Sequence, residues 1–244
     1  MGLKYITIED GRIDIFDERW YIKKHIRYPS VTFVQGTEIH PRLLKWSIEH
    51  GTNTYYILEE KQEIGSTMHH YIQILIEEGK VTFENRPPNT KESRAFEAWK
   101  RVMSFNNFYQ DTFKHHTVLG VEETVYNEEI MVAGTLDAKT ELAGKVHIWD
   151  WKSSKDIQEH HKQQVSTYAY TVGADYAHVV AFPEGGRVKR GYKETVLDRG
   201  QIERYYGEFL ELKKRFDKEH SLPAYMKYPV EITLKEEKSK SLFR

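Results

Sequence analysis

The sequence predicts an α/β fold with a mixed central β-sheet flanked by helices. Three observations carry that prediction. Helical spacing dominates residues 41–103, and residues 117–152 then read as three consecutive strands. After them a helix, a strand and a last helix follow one another. No Pro/Gly-rich linker divides the chain, so one domain is expected over 1–244: N-terminal strands and a helix in 1–60, a core in 61–220 and a C-terminal extension in 221–244.

Taken in order, residues 4–33 alternate loosely as short strands, including 5–8 and 12–16 about the Asp10-Gly11 turn, with Pro29-Ser30 as punctuation. Residues 41–50 read as a helix, with Pro41 in its first turn and Gly51 just past its end. A second helix, capped by Ser66 and closed by Gly79, presents Met68, Ile72, Leu75 and Ile76 as its apolar stripe. Pro87-Pro88 marks a loop before a third helix over 92–103, where Phe96, Trp99, Val102 and Met103 recur at helical spacing. Phe96 and Trp99 are expected in the core. Strands follow at 117–126, 130–139 and 145–152, the last two joined as a hairpin at Ala143-Gly144. Residues 156–172 keep helical periodicity through Ile157, His161, Val165, Tyr168 and Val172, until Gly173 stops it. Residues 177–182 suit a buried strand, 191–197 another, and 201–216 a long amphipathic helix ahead of a polar tail at 235–244.

Composition narrows the function classes. The 244 residues carry 36 Lys+Arg against 37 Asp+Glu, a formal net charge of −1. That balance argues against nucleic-acid binding by bulk positive charge but permits a local basic groove. No apolar run approaches the roughly 20 residues that span a bilayer, and the N-terminus has neither a signal nor a transit pattern, so the expectation is a cytoplasmic protein without a membrane partner. The absence of cysteine excludes disulfides, Cys-type zinc, iron–sulfur clusters and Cys nucleophiles.

The chemistry concentrates in Ala133-Gly134-Thr135-Leu136-Asp137 and Val146-His147-Ile148-Trp149-Asp150-Trp151-Lys152. Residues two apart in a strand share a face, so Asp150 and Lys152 point one way while Trp149 and Trp151 pack the other. A hairpin brings Asp137 beside Asp150. Two adjacent carboxylates repel unless a cation lies between them, and a hard divalent ion such as Mg²⁺ meets that need. A neighbouring Lys then holds or activates the attacking water and offsets charge at a phosphoryl group. Acid-x-Lys alone carries no weight, because it recurs at Glu59–Lys61, Glu78–Lys80, Asp137–Lys139, Glu211–Lys213 and Glu236–Lys238, where a solvated charge pair explains it. Asp150 differs by context: it ends an apolar strand, follows a Gly-x-x-Asp strand and precedes a helix with Gln164 and Tyr168 on one face. A second Gln-x-x-x-Tyr, Gln201–Tyr205, lacks that context.

His69, expected in a helix's first turn, has a ring nitrogen able to ligate a metal. His70 cannot readily join it, since adjacent helix positions diverge by about 100°. The same geometry weakens His115-His116 and His160-His161 as metal motifs, and the latter pair reads as helix surface.

The ordered set Gly65-x-x-x-His69, Glu122 before Val125-Tyr126, Gly134-x-x-Asp137, Asp150-Trp151-Lys152 and Gln164-x-x-x-Tyr168 resembles the PD-(D/E)XK nuclease superfamily. More narrowly it is similar to the RecB-type branch with a QxxxY motif, which includes phage exonucleases and the mitochondrial genome maintenance exonuclease. Tyr28-Pro29-Ser30-Val31-Thr32 resembles the N-terminal motif of its smaller members. The resemblance spans roughly 28–168 and implies a restriction-endonuclease-like core. It implies His69, Asp137, Asp150 and the Trp151 backbone carbonyl as ligands of one or two Mg²⁺ or Mn²⁺ ions, and Lys152 as the catalytic lysine. Gln164 and Tyr168 then contact the DNA backbone or brace the centre. Glu122 matches a semi-regular acidic position, with Glu123 its rival by one residue of register. Leu136 replaces the superfamily's proline, as is usual in this branch, and the lack of Cys rules out the iron–sulfur clasp of some relatives.

The implied activity is metal-dependent hydrolysis of DNA phosphodiester bonds by an exonuclease acting on single-stranded or frayed ends, in recombination, repair or replication. The alternatives are a structure-selective endonuclease for flaps or junctions, and a DNA-end-binding protein that keeps the fold without cutting. The run Arg187, Lys189, Arg190 and Lys193 beside Gly185-Gly186 offers phosphate contacts, with Tyr192 a base-stacking ring; a solvated hairpin explains it equally well. Lys213-Lys214-Arg215 reads as the wet face of the last helix.

Overall fold

The computed structural model describes residues 11–15, 18–37, 41–184 and 190–220, with the backbone alone at 15 and 41–43. The expected strand at 5–8 and the extension at 221–244 lie outside the described residues. The chain is mixed α/β. A three-stranded antiparallel sheet of β1 (Gly11–Ile15), β2 (Glu18–Lys23) and β3 (Ile26–Pro29) precedes the short helix α1 (Val31–Gly36). Helices α2 (Pro41–His50), α3 (Asn53–Glu78) and α4 (Glu92–Asp111) follow. A five-stranded mixed sheet then forms in the order β4 (Thr117–Asn127), β5 (Val132–Leu142), β6 (Lys145–Lys152), β7 (Tyr176–Ala181) and β8 (Lys193–Leu197). Helix α5 (Glu159–Thr171) makes the crossover between β6 and β7, which pair in parallel, and α6 (Arg199–Glu219) closes the described chain.

The alternation of β6 sorts the two faces of the sheet. Ile148 joins Leu136, Val179, Val165, Phe209 and Phe216 in a core shared with α5 and α6. Trp149 and Trp151 turn the other way, into a second core with Met68 and Tyr71 of α3 and Phe105 and Phe108 of α4. Each fully buried aromatic there stabilises by roughly 1.5–3 kcal/mol relative to exposure, which fixes the register of β6 and so the level of Asp150 and Lys152. The β5–β6 turn has Ala143 at φ +51° and Gly144 at +74°, the left-handed pair that a two-residue hairpin requires.

Three elements differ from the sequence expectation. Helix α3 starts at Asn53, thirteen residues before Ser66 (66 − 53), because 54–64 contains helix formers and no Gly or Pro. Ser66 is therefore mid-helix, its hydroxyl donating to the Glu63 carbonyl at 3.1 Å, and His69 lies in the body of the helix instead of its first turn. Residues 31–36 are helical although Val31-Thr32-Phe33-Val34 reads as strand, since Ser30 Oγ accepts from the Phe33 N–H and caps them. Helix α4 continues to Asp111 because Phe105 and Phe108 extend its buried stripe. Its wet face carries Phe96, which is exposed, and Trp99 is only partly buried.

At the end of β6 away from Lys152, His147 Nδ1 lies 2.8 Å from His178 Nε2, whose ring also bonds Glu194 at 3.0 Å. Burial and the nearby His178 and His116 depress His147 to about 4. His161, expected at the surface, is buried in the first turn of α5, where its Nδ1 accepts from the Gln158 N–H. Burial, Lys152 and His160 depress it to about 2. Both rings fold neutral yet take up a proton in the unfolded chain below about pH 6.5, so stability falls as pH drops from there towards 4. The urea midpoint in chelator is expected to drop between pH 7 and pH 5, and less steeply in His147→Gln. Equal slopes in the two proteins contradict this assignment.

Candidate metal centre

The site forms where β5 parts from β6. Their ladder is paired from Leu142–Lys145 to Ala138–Trp149 and stops there, while β6 continues beside β7 to Lys152. Continued by one residue, the register sets Asp137 opposite Asp150. On the other side, the flanking pairs Val121–Ala138 and Glu123–Leu136 set Glu122 opposite Asp137. Three adjacent strands thus each deliver a carboxylate at one level.

The gap between the strands is filled by the Asp137 side chain, whose Oδ2 accepts a short hydrogen bond from the Trp151 N–H. The Lys152 carbonyl accepts from Phe182 on the β7 side. Backbone groups alternate along a strand, so the Trp151 carbonyl faces the β5 side with its N–H. From α3, the His69 Nδ1 reaches Asp137 Oδ1 at 3.1 Å and Glu122 Oε1 at 3.7 Å. Burial alone lowers the His69 pKa, but Asp137 and then Glu122 outweigh it and raise it to about 10. The protonated ring supplies positive charge between the two carboxylates.

Ligand atoms of His69, Glu122 and Asp137 all lie within 4.8 Å of one another. One imidazole and two carboxylates at this spacing suit a hard or borderline divalent ion. Asp150 stands beside this group, turned to Lys152. The Lys152 Nζ is 2.9 Å from Asp150 Oδ1, 2.8 Å from Oδ2 and 2.9 Å from Gln164 Oε1. Asp150 Oδ2 is buried and accepts no well-directed hydrogen bond, its close neighbour being the same ammonium at 2.8 Å. Burial raises the Asp150 carboxyl to about 6, Lys152 opposing and Asp137 adding to the rise.

Behind Lys152, Gln164 Nε2 donates to the Tyr168 hydroxyl at 3.2 Å, which fixes the amide so that its oxygen faces the ammonium. Burial raises the Tyr168 phenol. Both side chains are buried, so the contacts they make here are those of a brace. The Tyr168 ring lies against Gly134, where a Cβ would meet it at 2.4 Å, and Gly65 faces Ser153 at 3.3 Å. The two glycines of the motifs are therefore sites of close approach. A cavity of about 430 Å³ joins His69, Glu122, Asp137, Asp150, Lys152, Gln164 and Tyr168 to a facing wall of Arg12, Arg19, Tyr21, Ser30 and Thr32.

Of the acidic rivals, the structure brings Glu122 into the centre and lays Glu123 over Gly120. Composition and spacing gave no signal for the wall on β1 and β2. His70 turns away to the Asn85 carbonyl at 2.9 Å. Arg187 and Lys189 lie outside the described residues. Arg190 is exposed, and Lys193 pairs with Asp156. Tyr192 is not a stacking platform: its ring is buried beside Phe108 and its hydroxyl donates to Asp111 at 2.9 Å. Lys213 is likewise buried and paired with Asp217 at 2.6 Å, away from the wet face expected for it. Gln201 caps α6 with Asp198 and takes no part in the centre.

No protein-family profile and no curated protein matches this sequence. Among solved structures, the chain is similar to an alkaline exonuclease (LHK-Exo) from Laribacter hongkongensis, with TM-score 0.34, 10% identity, and coverage of 63% of this chain and 83% of that one. It is also similar to LHK-Exo in complex with dAMP, with TM-score 0.34, 9% identity, and coverage of 66% and 91%. A phage related exonuclease from Haemophilus somnus 129PT gives TM-score 0.29, 14% identity, and coverage of 63% and 94%. Among the described residues no helix is long and apolar enough to cross a membrane.

The close approach at Gly134 gives a stability test. Gly134→Ala is expected to cost about 1–3 kcal/mol by overpacking against Tyr168, read as a fall in thermal midpoint. In a Tyr168→Ala background the same change is expected to cost almost nothing. Additive losses contradict the contact.

Proposed function

We propose that this chain is a Mg²⁺- or Mn²⁺-dependent deoxyribonuclease, an exonuclease acting on single-stranded or frayed DNA ends in recombination, repair or replication. In this reading 1–244 is one nuclease domain. The observation that carries it is the convergence of Glu122 and Asp137 on His69, with Asp150 on the next strand holding the Lys152 ammonium at their flank. The ordered sequence motifs give the reading its reaction class.

His69, Glu122 and Asp137 hold the ion, with Asp150 Oδ2 and the Trp151 carbonyl as further oxygens. When bound, the ion supplies positive charge that offsets the charge developing on phosphoryl oxygens. The protein's own groups do the positioning. Two of the three Lys152 N–H donors are directed at Asp150 and Gln164, so the third is left for the attacking water or a non-bridging phosphate oxygen. Gln164, locked by Tyr168, keeps the ammonium from swinging away. The aromatic packing of Trp149 and Trp151 fixes the strand beneath, so the ligands need little reorganisation during the reaction.

Incubation of end-labelled single-stranded DNA with Mg²⁺ or Mn²⁺ tests this reading. Asp150→Ala and Lys152→Ala are expected to lose activity by about 10²-fold or more, and chelator to abolish it in the wild type. Glu122→Ala is expected to raise the metal concentration needed for half-maximal rate, while Glu123→Ala leaves it unchanged. Circular single strands are expected to remain intact. Cleavage by Asp150→Ala and Lys152→Ala at the wild-type rate refutes the assignment. Cutting of circles or flaps moves it to an endonuclease, and metal-independent binding without cleavage to an end-binding protein.

A further inference from the structure

We propose that Arg12 and Arg19, on the hairpin facing the metal centre, form a subsite for a backbone phosphate of the single DNA strand on its way to that centre. The inference rests on the nuclease reading above and adds a substrate contact to it. Four observations carry it.

The first is placement. Arg12 pairs in register with Tyr21, and Asp14 with Arg19, so these four side chains share one face of the β1–β2 hairpin. That face is docked on the large sheet by the Tyr21 hydroxyl, 3.0 Å from Thr135 Oγ1, two residues before Asp137. Arg12 and Arg19 thereby line the same cavity as the carboxylates.

The second is preorganisation. Arg12 Nε and one terminal nitrogen meet Asp14 Oδ2 at 3.0 and 2.7 Å, and Arg19 Nε meets Oδ1 at 3.1 Å. One carboxylate gathers two guanidiniums and leaves a net charge of +1. Burial raises the Asp14 pKa, but Arg12 and Arg19 more than offset it, so Asp14 stays ionised and keeps the pair converged. Of five N–H donors each, Arg12 spends two and Arg19 one on Asp14, and both side chains reach solvent.

The third is charge. The other charged residues lining this cavity are the three carboxylates, Lys152 and the two histidines; Lys152 is held by Asp150 and His69 by Asp137. A polyanion entering here meets repulsion unless cations outside the acidic group receive it, and Arg12 and Arg19 are the lining residues placed to do so. A guanidinium matches a phosphate with two parallel hydrogen bonds. The fourth is chemistry on the same wall: Ser30 Oγ and Thr32 Oγ1, 3.0 Å apart, add neutral hydrogen-bonding groups.

The test is cleavage kinetics of a single-stranded oligonucleotide in Mg²⁺, with anisotropy binding of the same strand in chelator as a function of salt. The Arg12→Ala/Arg19→Ala double variant is expected to raise KM about tenfold with the effect falling on KM and not on kcat. It is also expected to flatten the slope of log affinity against log salt by about one, since each single-strand phosphate contact contributes roughly 0.7. The double Lys variant is expected to keep the salt slope and lose part of the affinity, because it keeps charge but not the fork. Lys23→Ala removes a cation from the same strand outside the cavity and is expected to leave KM and slope unchanged. A double Ala variant that cuts with wild-type KM and salt slope overturns the subsite alone, as does an equal loss in Lys23→Ala. Wild-type protein that neither binds nor cuts single strands overturns the nuclease reading and the subsite together.

Discussion

Three carboxylates on adjacent strands repel one another, and the rest of the site is arranged around that repulsion. Two like charges 4 Å apart cost about 4 kcal/mol at an effective dielectric of about 20. That is comparable with the whole stability of many domains, about 5–15 kcal/mol. Each acid here meets an answering group: Glu122 and Asp137 share the His69 ring, Asp137 also takes the Trp151 N–H, and Asp150 takes the Lys152 ammonium. These answers come from α3, from the backbone of β6 and from the end of β6, so the centre draws on both sides of the sheet. A fold stabilised chiefly by packing has no use for such an arrangement, because buried pairs are rarely worth more than apolar residues of the same volume. Its presence here fits a site able to receive a cation.

The apolar layers explain why the arrangement holds its shape. Trp149 and Trp151 interlock with Phe108 and Phe113 at ring separations of 5.2–5.8 Å, and Phe105 meets Trp151 at 5.4 Å. A slip of β6 by one residue exposes both indoles and turns Asp150 and Lys152 to the wrong face, so the aromatic face specifies the polar one. On the opposite face, Val165 and Ala169 seat α5 on the sheet, which puts Gln164 within reach of Lys152 and Tyr168 against Gly134. The brace is thus a by-product of helix packing at a glycine-sized gap.

What the sequence revealed follows from which signals were local. The alternation of β6, the Ala143-Gly144 turn and the i, i+4 pair Gln164–Tyr168 depend on neighbours in the chain, and all three were legible. The length of α3 was not, because Tyr55, Tyr56 and Leu58 stand exposed and blur its amphipathic pattern. The capping of α1 by Ser30 overrode a β-branched run, a contest between propensity and one hydrogen bond that no periodicity displays. Tyr192 looked like a surface group because its partner Asp111 lies 81 residues away, and His161 because its bond from the Gln158 N–H depends on where the helix is capped. The facing wall of Arg12 and Arg19 depends on contacts between β2 and β5 more than a hundred residues apart, beyond the reach of any local pattern.

The choice between Glu122 and Glu123 turns on backbone geometry. In a regular strand the two acids point to opposite faces, and a one-residue slip exchanges them. Here the β4–β5 register shifts between Val118 and Gly120, and Glu122 adopts φ +52°, a left-handed conformation that costs a side-chain-bearing residue roughly 1–2 kcal/mol. The kink turns Glu122 to His69. Glu123 folds back over Gly120, where a Cβ would lie 2.1 Å from its Oε1, so a larger residue there would push that exposed carboxylate aside. Local strain persists where surrounding contacts over-determine it. The contacts doing so at Glu122 are the His69 ring on one side and the regular pairing of residues 123–127 with β5 on the other. The strand is bent at the one residue whose carboxylate the centre uses, and it resumes its ladder immediately afterwards.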